Sequence, residues 1–156
     1  MPQQTPDAAR DAHPDRNAFL LKAMQDTLAE MELCMLALKK SHSEDVLALA
    51  ETVIEEHGQL GLEMEQLAQR RQLDSALLIS EESLAAIDAI AKLPDRDFDR
   101  RFVEQNLKDH ESQLAVFHRC ATREKDRDIR ALAAKGEKMV SKHLQMAKQI
   151  EERMPA

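Results

Sequence analysis

The sequence predicts an all-α protein: a four-helix bundle of two helical hairpins, joined by a long crossover that contains a short helix. Three observations predict this class. Apolar residues recur at alternating spacings of four and three in four long windows, the stripe of a helix that packs in a bundle. The chain has only 3 glycines and 5 prolines in 156 residues, which leaves little material for turns or sheets. Aromatic residues make up 3% of it, while the good helix formers Ala, Leu, Glu, Lys and Gln dominate. This length fits one domain that can bury a core of its own.

Residues 1–14 hold three prolines and read as a flexible polar arm, with the bundle over 15–154. A first helix runs from about Asp15 to Lys40, with Leu20, Met24, Thr27, Met31, Cys34 and Leu38 on its seam. Ser43, ahead of Glu44 and Asp45, suits the N-cap of a second helix. That helix reaches about Arg71 with the seam Val46, Leu49, Val53, His57, Leu60, Met64 and Leu67. So short a turn between two long helices makes an antiparallel hairpin. Ser80-Glu-Glu-Ser opens a shorter helix that Pro94 stops near Lys92, a crossover segment. A third long helix begins near Asp97, with the seam Val103, Leu107, His110, Leu114, Phe117 and Ala121. The charged stretch Arg123–Asp128 holds the next turn, and the fourth helix presents Ile129, Leu132, Gly136, Val140, His143, Ala147 and Ile150.

Charge narrows the function. With 22 Lys+Arg against 29 Asp+Glu, the net charge of −7 argues against nucleic-acid backbones and anionic membranes. Without an aromatic platform, single-strand binding is disfavoured too. No run approaches the ~20 apolar residues of a bilayer span, and the N-terminus carries no export signal as given. The expected location is the cytoplasm as the sequence stands, or the periplasm or exterior if a leader was removed. Cys34 and Cys120 say little about compartment. They can be bridged only if the third long helix runs antiparallel to the second.

The histidines carry the most information. Of the six, His13 falls in the arm, His42 in a turn, and His118 about 80° off the seam. His57, His110 and His143 each occupy a seam position, one on each of the last three long helices. They lie about 13 to 16 residues into those helices, so at 1.5 Å per residue all three fall near mid-bundle whichever way the helices run. Glu30 stands at the matching height on the flank of the first helix. Glu30, His57, His110 and His143 are thus one candidate ligand per helix for a divalent transition metal, zinc or iron first. The alternative is a structural polar layer of neutral imidazoles bonded to one another and to Glu30. Di-iron chemistry needs Glu-x-x-His on two helices, whereas Ile54, Leu107 and Val140 stand three residues before the histidines. Cys34 could add a fifth ligand or be an inert buried thiol. The methionines at helical spacing read as core filler.

The stretch from Phe98-Asp-Arg-Arg-Phe-Val to His110-Glu, with Leu114-Ala-Val-Phe and Lys142-His-Leu-Gln-Met-Ala, has a recognisable pattern. With Glu30-Met-Glu-Leu-Cys, Asp45-Val-Leu-Ala-Leu-Ala and Glu56-His57, it resembles an uncharacterised bacterial family of the ferritin-like superfamily. That family's members are mostly exported and have no settled activity. The resemblance implies a ferritin-like bundle with a long crossover before the third long helix, and family histidines at His57, His110 and His143. An Asp-His pair is usual where Glu56-His57 stands, and a Gly where Cys34 stands. The expected function is a small metal-binding bundle, non-enzymatic or weakly catalytic; the alternative is a metal-free helical interaction or stress-associated protein. The expected partners are the metal ion and, as one option, a second copy of the chain in a homodimer.

Overall fold

A computed structural model describes residues 14–74 and 78–155, with side chains from Asn17 onward. The arm expected over 1–14 lies outside the described residues, save for the backbone of Pro14. Five helices and no strands are present among the described residues: α1 (Pro14–Lys40), α2 (Glu44–Arg70), α3 (Glu81–Ala91), α4 (Asp95–Arg123) and α5 (Arg127–Arg153). None of the helices is long and apolar enough to cross a membrane.

The helix ends follow the cap chemistry. Ser43 Oγ accepts from the Val46 amide and Ser80 Oγ from the Ser83 amide. Asp126 accepts from Asp128 and Ile129 at the start of α5. Pro94 does more than stop α3. It is the N-cap of α4, and its carbonyl accepts from Asp97 and Phe98, so α4 begins at Asp95, two residues before the expected Asp97. At the end of α2, Gln72 adopts a φ of 56°, and the Leu73 amide closes back onto the Ala68 carbonyl.

Two apolar clusters fix the helix directions. One joins the C-terminal half of α1 (Leu33, Ala37) and the N-terminal half of α2 (Val46, Leu49, Val53) to the start of α4 and the end of α5 (Phe98, Phe102, Ala147, Ile150). The other joins Leu20 and Met24 to Leu60, Met64, Phe117, Ile129 and Val140 at the opposite end. Hence α4 runs parallel to α2, and neighbouring long helices are antiparallel: α1 with α2, α4 with α5, α2 with α5 and α1 with α4. The crossover makes this possible. It leaves the far end of α2, and α3 packs on α1 and α4 on its way to the other end. There Lys40 Nζ donates to the carbonyls of Ala91 and Leu93 at 2.8 and 2.9 Å.

The expected seam of α2 is buried at every position. On α1 the expected Leu20, Met24, Thr27 and Cys34 are buried too, but the buried arc is wider than the seam. Leu38 is exposed, while Ala23, Glu30, Leu33 and Ala37 are buried, so Glu30 lies within the buried face instead of on its flank. The physical reason is that α1 is covered by α2, α4 and α3 together, which widens and shifts its buried arc.

Candidate metal centre

A polar layer separates the two apolar clusters at mid-height. His57 comes from α2, His110 from α4 and His143 from α5, all at most 1% exposed. Their ring centroids are 5.2 to 5.5 Å apart. His57 stacks on His143 with 20° between the planes, and His110 meets both edge-on. The three rings therefore share one level, as their positions along the helices require. One nitrogen from each ring lies within 4.8 Å of the other two.

The ring nitrogens are held asymmetrically. His110 Nδ1 is 2.8 Å from the carbonyl of Asn106, one turn earlier on α4. A carbonyl only accepts, so Nδ1 carries the proton and Nε2 keeps its lone pair. His143 Nε2 donates to Glu56 Oε2 at 3.2 Å, which leaves the lone pair on Nδ1. Among the described residues, neither His110 Nε2 nor His143 Nδ1 has a hydrogen-bond partner, and His57 has none at either nitrogen. Unpartnered buried polar atoms are costly, about 1–3 kcal/mol each. Four such nitrogens in one dry layer are far from the usual accounting of a protein interior.

Two carboxylates flank the layer. Glu30 Oε1 accepts from Asn106 Nδ2 at 2.8 Å and lies 3.6 Å from His110 Nδ1. Glu30 is thus on the proton-bearing side of His110, and its oxygens are outside the group of converging nitrogens. Glu56 stands at the opposite side, where Lys142 Nζ also reaches it, 3.1 Å from Oε2. Cys34 is buried one turn from Glu30 and belongs to the apolar cluster, apart from the three rings. His118 is exposed and pairs with Glu137.

The electrostatics follow from burial. Burial, followed by the charges of Asp109 and Asp26, pushes the Glu30 carboxyl well above its ordinary range. Burial also pulls His57 far down, reinforced by His110 and His143. His110 falls to about 4, with burial outweighing the supporting bond to Asn106. His143 is lowered too, its burial exceeding the help of Glu56. Burial works against ionised Glu56, yet bonds from Lys142 and His143 hold it below the usual carboxylate range. At neutral pH the layer therefore presents neutral imidazoles whose lone pairs are available.

Sequence reasoning brought out the three histidines and Glu30 but missed Glu56 and Asn106. The available signals were local: Glu56 precedes His57 as Lys142 precedes His143, with opposite charges, and Asn106 stands four residues before His110 on a buried face.

The bundle is similar to the crystal structure of a DUF305 fragment from Deinococcus radiodurans, with a TM-score of 0.82 and 17% identity over 92% of this chain and 99% of that one. At that identity the likeness is one of fold alone. No curated protein matches the chain. A family profile described as a domain of unknown function, DUF4142, matches residues 1–150, and the chain belongs to that family.

Proposed function

We propose that this chain is a small ferritin-like metal-binding bundle in which His57, His110 and His143 hold one divalent transition ion, zinc or iron first. The observation that carries the reading is three buried imidazoles at one level, each with at least one ring nitrogen unpartnered among the described residues and each offering a nitrogen within 4.8 Å of the other two. An equilateral triangle with 4.8 Å sides has its centre roughly 2.8 Å from each corner, against about 2.0–2.1 Å for a zinc–imidazole bond. With 4.8 Å as the upper limit of the separations, each ring would have to move inward by at most roughly 0.7 Å.

The surroundings support the same reading. His110 and His143 are oriented by a carbonyl and a carboxylate on their far nitrogens, the arrangement that fixes tautomer and raises ligand basicity in metal sites. Three neutral imidazoles bring no charge to offset a dication in a dry interior. Glu56, held ionised by Lys142 and His143, stands one ring away and supplies one negative charge, and Glu30 beside His110 supplies a second by giving up its proton as the ion enters. Three nitrogen ligands leave a fourth position for water or a small anion.

Elemental analysis of protein purified without chelator or a nickel column tests this. About one equivalent of metal is expected, falling with His57→Ala or His110→Ala. Less than about a tenth of an equivalent, with no uptake of added Zn(II), would leave a metal-free structural histidine layer as the better account.

A further inference from the structure

Resting on the metal-binding reading above, we propose that the groove bounded by α1, α3 and α4 is the path by which a hydrated divalent cation reaches the three imidazoles, Glu30 taking it from water into the interior. The groove has a volume of about 420 Å³ and is lined by Asp26 and Glu30 of α1, Ser83 and Ala86 of α3, and Asp109 of α4. Its inner end is the informative part. Glu30 is only 2% exposed, yet it lines the groove and also lies 3.6 Å from His110. Its Oε1 is engaged with Asn106, while its Oε2 makes no hydrogen bond among the described residues. One carboxylate therefore borders both the groove and the histidine layer.

A dication entering low dielectric must exchange water for another anionic or dipolar ligand at each step. Asp26 and Asp109 line the same groove as Glu30, so carboxylate oxygens from both α1 and α4 are available there. Lys22, paired with Asp26, and also Arg101 and Lys108 line the groove, so its carboxylates are offset by cations. The groove thus works by access more than by long-range steering. The other routes are less suitable. A groove on α4 and α5 is lined by Leu114, His118 and Glu137, and one on α2 and α5 by Glu63, Leu67 and Lys135; neither includes a residue of the polar layer. On the far side of the layer, Lys142 places an ammonium beside Glu56 at the outer edge of His143, which repels an arriving cation. The small side chains of Ser83 and Ala86 keep the α3 wall of the groove open.

Stopped-flow measurement of Co(II) uptake by the intact chain, read from its visible absorption, and of its release into excess chelator tests the path. Ala86→Trp and Ser83→Phe fill the groove without touching a proposed ligand. Each should slow uptake and release by the same factor, about tenfold, and leave the dissociation constant unchanged. Ala134→Trp, which fills the α4–α5 groove, should leave both rates at the wild-type value. Circular dichroism establishes that each variant keeps its helices. Wild-type rates in both filled variants, with one Co(II) still bound, would overturn the path and leave the metal-binding reading standing. A changed dissociation constant would also overturn it, since the groove would then belong to the site. No Co(II) uptake by the wild-type chain would overturn both.

Discussion

At the scale of single residues, the buried layer stores opposing proton equilibria, and their signs can be separated. His57, His110 and His143 have folded-state affinities for protons below those of the unfolded chain. Such groups cost nothing above about pH 6.5; below it the unfolded chain takes protons that the folded chain refuses, so stability falls. For His110, with a folded value of about 4, the loss is on the order of 2 kcal/mol by about pH 5. Glu30 acts the other way. Its raised affinity means that stability falls as pH rises above about 4.5, and recovers on acidification. Two predictions follow for metal-free protein. Glu30→Gln should stabilise the protein at about pH 7.5 by about 1–3 kcal/mol, read as a higher urea midpoint, because the buried acid is gone. In that background the midpoint should decline steadily from about pH 6.5 to 4.5, while a flat profile would mean that the imidazoles are not buried in solution. Chelator should lower the melting temperature of the wild-type chain by several degrees and leave that of His57→Ala unchanged.

At the scale of elements, one close approach sets how α4 meets α5. A Cβ built on Gly136 would lie 2.6 Å from Cε1 of Phe117, whose ring is also held edge-on by Phe19 at 5.8 Å. Alanine normally favours a helix over glycine by up to about 1 kcal/mol. Here the ring must shift, and Gly136→Ala should instead destabilise by about 1–3 kcal/mol in thermal or urea unfolding. Pairing it with Phe117→Leu should recover part of the loss relative to Phe117→Leu alone. Much at this scale was legible in the sequence, because caps and spacing are local. Ser43 and Ser80 announced α2 and α3, and the whole seam of α2 followed from three-four spacing. On α1 the sequence pointed to Leu20, Met24, Thr27 and Cys34, but the added Ala23, Glu30, Leu33 and Ala37 were not legible, since they depend on three neighbours whose positions no local pattern encodes.

At the scale of the whole molecule, the heights of the three histidines could be read from helix midpoints alone, because a middle is insensitive to direction. The partners of those histidines could not. Asn106 and Glu56 act through contacts that depend on which helices are adjacent and how they are turned. Direction decides the cysteines as well. With α4 parallel to α2, Cys34 lies in one apolar cluster and Cys120 packs against the other, both as free thiols. Burial, then Glu124 and Asp126, pushes Cys120 up to about 11, and burial, then Glu30, raises Cys34 further from reaction. Oxidation should therefore give no intrachain bridge. Alkylation of native protein should modify Cys120 slowly and Cys34 only on unfolding, which mass spectrometry of timed samples would read out.

The layer of rings also divides the hydrophobic interior into two compartments, one around Phe98 and Phe102, the other around Leu20, Met64, Phe117 and Ile129. Leu114 packs against both, and besides it the helical backbones and an under-bonded waist connect them, so a ligand bridging α2, α4 and α5 would act as a rivet at that waist. Amide exchange should then slow on both sides of the rivet at once when metal is added, so that the ends of the rod open together instead of fraying independently.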